Sequence, residues 1–296
     1  MNHNTFNLQK RLLLAALLGF LACLQAHAQV SVHLKMDKKN YLIGEPISAT
    51  LSITNNAGRQ ITLTGNSISS WLNFQLSRGG RAVPPARKIN YKPTVIPIGQ
   101  TVGRKVVIST SHALGTVGNY TVSASVRMPG TTLNGFTSNR SHFTIARGRN
   151  IWTQYGGLPS SPDQIREYKL ITFTGNNGLD LYADISDKKT GRRISTIPLG
   201  KILSFNNPTA TLDRSNNMHA LYQLKPDLFA HCSISPHGKV VSAAYHKRGK
   251  VGVPRLITFG NGNVRVGGTV PYDPKVEAAE RAKVRKISER PPFLYK

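Results

Sequence analysis

The chain has 296 residues, 39% of them apolar and 18% charged, with 39 Lys and Arg against 13 Asp and Glu for a formal charge of +26. That apolar share is enough to build a core, which excludes an intrinsically disordered chain, and two cysteines exclude a disulfide scaffold. The basic excess predicts a positive surface field that attracts polyanions.

Lys10 and Arg11 close a short basic stretch, Leu12 to Leu24 is an unbroken run of apolar and small residues, and Ala26-His27-Ala28 places small residues three before and one before a cut. This is the layout of a secretory signal. Residues 1–28 are therefore expected to be removed after Ala28, and the remainder to be secreted or held in the periplasm or at the cell surface. A membrane span needs about 20 apolar residues, which the run lacks, and no later segment is apolar enough to span a bilayer. A lipoprotein signal with Cys23 as the lipidated residue is the alternative, for which Phe20-Leu21-Ala22 is a poor lead-in. Cleavage leaves Cys232 without a partner, so no intramolecular disulfide forms. Leu228, Ala230, Cys232 and Ile234 share one face, and the thiol reads as a packing residue.

Residues 29–147 read as a first domain. Val30, Val32, Leu34 and Met36 alternate with polar residues, and Ile47, Ala49, Leu51 and Ile53 do the same before the turn Asn55-Asn56-Ala57-Gly58. Further strands are predicted at about 60–64, 71–77, 95–98, 104–109, 119–127 and 135–145. Short strands separated by turn residues at such intervals predict a β-sandwich. Two motifs add to this. Gly44-Glu45-Pro46 is a turn before a strand, and Gly118-Asn119-Tyr120-Thr121-Val122 is similar to a tyrosine corner. On these residues the segment resembles bacterial immunoglobulin-like or fibronectin-III-like modules, similar to the small sandwich domains of macroglobulins, although the inter-sheet cysteine pair of true immunoglobulin domains is missing. The resemblance implies a spacer, an adhesin or a carbohydrate-surface binder.

This segment holds 14 basic residues and two acids, Asp37 and Glu45. Trp71, Arg78, Arg81, Arg87, Lys88, Lys92, Arg104 and Lys105 are the candidate binding residues, with Trp71 either a core residue, the favoured reading, or a platform on which a sugar stacks. The partners such a surface suits are an anionic polysaccharide, lipopolysaccharide or a protein of the cell envelope. There is no run of five basic residues and no nucleic-acid motif. The alternative is that the charge is spread over the surface and serves solubility.

Residues 148–273 read as a second domain, antiparallel and repetitive. Arg147-Gly148-Arg149-Asn150 reads as a linker and Gly156 to Pro162 as a loop. Leu181 to Ser195 then matches Leu228 to Ser242, and the hairpin Pro208 to Leu224 matches Pro254 to Val270, giving two repeats of about 46 residues. The unit resembles a propeller-blade-like β repeat in size. Only two and a half copies fit and a closed propeller takes at least about four blades, so a small sandwich, open barrel or meander is predicted, with closure by oligomerisation left open. Residues 274–296 begin as a helix, capped by Asp273 with Pro274 in its first turn, and end at Pro291-Pro292. Val276, Ala279, Val284 and Ile287 share one of its faces. The helix either docks on the second domain or, through Arg281, Lys283, Arg285 and Lys286, lies on a membrane surface.

Enzyme signatures are missing: there is no Gly-x-Ser-x-Gly elbow, no His-Glu-x-x-His and no phosphate-cradling glycine loop. Asp180, Asp184, Asp187 and Asp213 sit mostly at turn positions. His231 and His246 lie on the arms of a hairpin turning at Pro236-His237-Gly238, near each other but not opposite, and read as surface histidines. No catalytic residue, metal or cofactor is assigned. The chain is expected to be all-β: an immunoglobulin-like sandwich, a small antiparallel repeat domain and a C-terminal helix. Its expected role is that of an exported, non-catalytic binding or structural protein. The alternatives are a carbohydrate-active or other hydrolase with its site in the second domain, and a structural spacer in an envelope assembly.

Overall fold

The computed structural model describes residues 30–65, 69–128, 135–175, 178–250 and 252–288, and the expected signal segment lies outside them. The chain is all-β with one helix near its C-terminus. In chain order the first strands are β1 (Val30–Met36), β2 (Asn40–Leu42), β3 (Ser48–Asn55), β4 (Ile61–Leu63), β5 (Leu72–Arg78) and β6 (Arg81–Val83). They are followed by β7 (Thr94–Ile96), β8 (Thr101–Val107), β9 (Gly118–Val126), β10 (Phe136–Thr137) and β11 (Ser141–Ala146), with a single 3-10 turn at Ile108–Thr110. Then come β12 (Arg149–Leu158), β13 (Ser161–Gly175), β14 (Gly178–Asp187), β15 (Arg193–Lys201), β16 (Thr209–Leu212) and β17 (Met218–Lys225). The series closes with β18 (Leu228–Ile234), β19 (Val240–Arg248), β20 (Arg255–Thr258), β21 (Val264–Gly267), β22 (Thr269–Tyr272) and the helix α1 (Pro274–Ser288). Described residues of 30–39, 46–114 and 118–144 make one compact unit; those of 40–45, 115–117 and 145–288 make a second.

In the first unit, β1, β3 and β8 form one antiparallel sheet, and β11, β9, β5 and β6 a second, with β10 on β9 and β4 paired to β7. The alternation read in the sequence sets which face is buried. Ala49, Leu51 and Ile53 of β3 and Leu72, Phe74 and Leu76 of β5 are buried while their neighbours are not. Each sheet thus has one apolar face, and β1 lies against β9 and β10. The free edge of β1 is closed by side chains: Leu34 N–H donates to Asn139 Oδ1 at 2.8 Å, and Asn139 Nδ2 and Ser141 Oγ donate to the Leu34 carbonyl. Asn55 is fully buried and its side chain is saturated, with Nδ2 donating to the carbonyls of Arg59, Ile96 and Pro97 and Oδ1 accepting from Ala57 N–H.

The second unit is built of blade-like antiparallel sheets. β12-β13-β14-β15 is one meander and β16-β17-β18-β19 a second, with β22 added on its β19 edge. Tyr168, Leu170, Leu181, Ala183 and Ile185 of the first meander share one core with Met218, Ala220, Tyr222, Ala230, Cys232 and Ile234 of the second. β14 and β18 hold equivalent places in the two meanders, as do β15 and β19. The hairpin β20–β21 lies with β20 against β16 and β17. On the face of β17 opposite the shared core, His219, Leu221 and Gln223 are buried. Asp273 Oδ1 accepts from Lys275 N–H at the start of α1, and Lys247 Nζ meets Glu277 at 2.7 Å. Val276 is exposed, so the apolar face read for this helix is not buried at that position.

Two sequence expectations are corrected here. Arg149-Asn150, read as linker, begins β12, and Gly156 to Pro162, read as loop, forms the end of β12, a two-residue turn and the start of β13. The glycines have packing causes. A Cβ on Gly148 would overlap Ile171 Cγ2 and come within 2.7 Å of the Thr172 carbonyl oxygen, and one on Gly156 would lie 2.7 Å from Asn216 Oδ1.

A basic cavity behind Trp71

Within the first unit, the segment between β6 and β7 crosses the open end of β5. Ala86 and Arg87 N–H donate to the Ser111 carbonyl, and the Arg87 Nε donates to the Thr110 carbonyl. Farther along, the Trp71 indole N–H reaches the Tyr91 and Lys92 carbonyls at 3.2 and 3.3 Å. Trp71 is 1% exposed, so it cannot stack on a sugar. Its role is to hold the segment down. The Tyr91 ring packs edge-on to Trp71 and Phe74, with centroids 6.1 and 6.5 Å apart. Arg104 lies over both rings, 5.5 Å from Trp71 and 5.8 Å from Tyr91. Its Nη1 donates to the Lys92 carbonyl and to Thr94 Oγ1 at 3.0 and 2.8 Å.

Between this segment, β5 and the residues after the 3-10 turn is a cavity of about 220 Å³. Arg87, Lys88, Phe74, Tyr91, Ser111 and His112 are among its lining residues. Two buried polar atoms of these residues have no hydrogen-bond partner among the described residues: Tyr91 Oη and His112 Nε2. Ser111 Oγ donates to the Ile108 carbonyl at 3.0 Å and lies 2.9 Å from His112 Nδ1. Burial holds the His112 pKa below its ordinary value, with the Phe74 carbonyl acting the other way. Burial raises the Tyr91 pKa against the pull of Arg104. The cavity therefore offers a neutral phenol that can donate, the ring of a buried histidine, and the side chains of Arg87 and Lys88. Neither acid of this stretch of sequence joins it: Asp37 pairs with Lys105 at 3.0 Å, and Glu45 accepts from Leu42 N–H and Tyr182 Oη.

The eight candidate residues divide accordingly. Arg87 and Lys88 line the cavity; Trp71 and Arg104 brace it from behind; Lys92 contributes its carbonyl to that brace and exposes its side chain. Arg78 and Arg81 pair across the β5–β6 turn, exposed and apart from the cavity lining. Tyr91 and His112 went unnoticed in the sequence, since neither lies in a periodic segment or a motif.

A second polar constellation sits in the second unit. His219 Nε2 is 3.2 Å from Asp213 Oδ2, His219 Nδ1 is 3.0 Å from His231 Nε2, and the rings stack with centroids 5.2 Å apart. His231 and His246 meet edge-on at 6.2 Å, and His246 Nδ1 is 3.2 Å from Thr269 Oγ1. These are not the surface histidines read from the sequence. They form a half-buried row on the face of β17–β19 opposite the core, and His219, which the sequence reading passed over, is its hub. Among the described residues no group of three or more His, Cys, Asp or Glu is placed to hold a metal ion. Cys232 is buried on the other face, and burial pushes its thiol pKa up. No described helix is long and apolar enough to cross a membrane.

No protein-family model matches the chain, and no curated protein matches it by sequence. Among solved structures, the crystal structure of Spo0M, a sporulation control protein from Bacillus subtilis, aligns over 61% of this chain and 86% of that one at 13% identity. The TM-score is 0.26, too loose a superposition to carry a conclusion.

Proposed function

We propose that the chain is an exported, non-catalytic binding protein that holds an anionic polysaccharide on the basic surface of its first unit, with the cavity beside Tyr91 as the point of recognition. The observation that carries this reading is the cavity itself: a concave space with two cationic lining residues and two buried polar atoms that have no hydrogen-bond partner among the described residues. The charge of the surrounding sequence, 14 basic residues against two acids in residues 29–147, supports a polyanion as the partner. The two-sheet build of the first unit and the buried Tyr120 stacked on Phe143 at 5.2 Å are in keeping with an immunoglobulin-like carrier module. The signal layout of residues 1–28 supports export.

A role as a spacer in an envelope assembly is the second reading. It is favoured by the exposed apolar strip of Val241, Tyr245 and Val270 at the β19–β22 edge.

An array of anionic and neutral glycans probed at two salt concentrations tests the first reading. Binding to an anionic polysaccharide that weakens steeply with salt is expected; binding to neutral glycans alone would refute it.

A further inference from the structure

We infer that the groove between the helix α1 and the strands β19 and β22 is an intramolecular docking site, filled by the chain's own residues 289–296 through Phe293, Leu294 and Tyr295. It lies in the second unit and is independent of the polysaccharide reading, which concerns the first.

The groove has a volume of about 1800 Å³. Tyr245 of β19, Tyr272 of β22 and Val276, Ala278 and Ala282 of α1 are among its lining residues. Tyr245 is 44% exposed and Val276 54%. From Pro274 to Glu280 every residue of the helix but Glu277 is exposed, and Glu277 is the one that Lys247 engages at 2.7 Å. A helix of 15 residues is marginal on its own in water and takes most of its stability from packing an apolar face. The strands beside α1 leave that face open, so the helix and the groove both call for a further piece of polypeptide.

Charge and reach single out the occupant. The chain has 39 basic residues against 13 acids, yet Asp273, Glu277 and Glu280 line this groove, with Lys247 the only Lys or Arg beside them among the described lining residues. A segment that is apolar in its middle and basic toward its ends suits such a surface. Arg290-Pro291-Pro292-Phe293-Leu294-Tyr295-Lys296 has that make-up. Proline cannot continue a helix, so the chain leaves the helix axis by Pro291. Ala282 stands six residues before Ser288, about 9 Å back along the axis. The five residues from Ser288 to Phe293 span up to about 17 Å, which brings Phe293 back to Ala282 and Tyr295 toward Val276. The tether also gives this segment an effective concentration in the millimolar range. A second copy lacks that advantage and is repelled by the basic excess.

Hydrogen exchange of the full chain tests this against two variants. One ends at Ser288; the other is Phe293→Ala, Leu294→Ala, Tyr295→Ala, which keeps length and charge. Amides of α1 between Val276 and Ala282 should exchange at least about tenfold faster in both variants than in the parent, with β13 and β14 unchanged and all three proteins monomeric by sedimentation. The free peptide Glu289–Lys296 at millimolar concentration should slow α1 exchange again in the shortened protein, and Glu280→Lys should weaken that rescue. Equal α1 exchange in the parent and the alanine variant would overturn the inference. Acceleration in the shortened protein alone would do the same, because apolar contacts would then not be the cause. Protection that rises with protein concentration together with a dimer would assign the groove to a second copy, and protection gained only on adding phosphatidylglycerol vesicles would assign it to a membrane surface; either result overturns it. None of these outcomes bears on glycan binding, so the two proposals fail separately.

Discussion

Trp71 shows how one residue can shape a cavity without being among its lining residues. Its indole is buried, its N–H is shared by two carbonyls of the segment that carries Tyr91, and Arg104 stacks on its face. Trp71→Phe keeps an aromatic ring but deletes both hydrogen bonds and part of the ring area. A loss of about 1–3 kcal/mol in denaturant unfolding is expected, with weaker ligand binding because the Tyr91 segment is no longer pinned. Unchanged stability would mean that the segment is held by other contacts. Burial of Trp71 was one of two readings open in the sequence, since tryptophan serves cores and sugar platforms alike. Tyr91 and His112 were not legible at all. Each stands in irregular chain, and what marks them is one buried polar atom, Tyr91 Oη or His112 Nε2, with no hydrogen-bond partner among the described residues, a property of the folded neighbourhood that no local pattern encodes.

At the scale of elements, alternation and turn residues made β1, β3, β5 and the later hairpins readable, because a half-buried strand must write its two faces into the sequence. The hairpin of β12 and β13 was misread because Gly148, Gly156 and Gly157 look like loop residues. For Gly148 a side chain would strike Ile171 and Thr172 of β13, and for Gly156 Leu212 and Asn216 of the β16–β17 hairpin, so at those positions glycine answers to close packing. Gly148→Ala should accordingly destabilise the protein by about 1–3 kcal/mol, measured by thermal or urea unfolding, whereas a true linker glycine would tolerate the change.

The histidine row belongs to this scale too, since β17, β18 and β19 must be in register to build it. Burial, then the neighbouring His219 and His246, push the His231 pKa down from 6.5 to about 4, and burial lowers His246 as well. A depressed histidine binds its proton more readily in the unfolded chain. Stability is therefore full above about pH 6.5 and is lost as the pH falls toward 4. Burial raises the Asp213 pKa, but hydrogen bonds from Asn217 and His219 outweigh it and hold the carboxyl below its ordinary value, so its own loss of stability falls at lower pH. The melting temperature should drop by several degrees between pH 7 and pH 5, and His231→Gln should flatten that dependence. A variant with the same pH profile as its parent would show that the row does not govern it.

For the molecule as a whole, the all-β class followed from the density of short alternating segments, and the basic character from counting alone. Of the repeat of about 46 residues read in the sequence, one half has matching places, with β14 and β15 in one meander where β18 and β19 stand in the next; the other half does not, since β16 and β17 belong to a meander and β20 and β21 form a sheet of their own. Counting charges, however, did not tell which of them matter. Lys105 is paired with Asp37, Arg104 is spent on aromatic rings and carbonyls, and Arg78 and Arg81 lie apart, leaving Arg87 and Lys88 at the cavity. A double variant Arg78→Ala, Arg81→Ala should thus change polymer affinity through the general field, by about threefold or less at 150 mM salt where exposed charges are screened beyond roughly 8 Å. Arg87→Ala, Lys88→Ala should cost tenfold or more in the same assay.

The central claim is that this protein binds an anionic polysaccharide through the first unit. Its most direct test is equilibrium binding of the purified protein to polyglucuronate at 50 and 200 mM salt. Saturable binding at 50 mM that weakens at least about tenfold at 200 mM, and that is lost in the Arg87, Lys88 double variant, is the predicted result. No binding at 50 mM salt, or binding that neither salt nor that variant alters, would contradict the account.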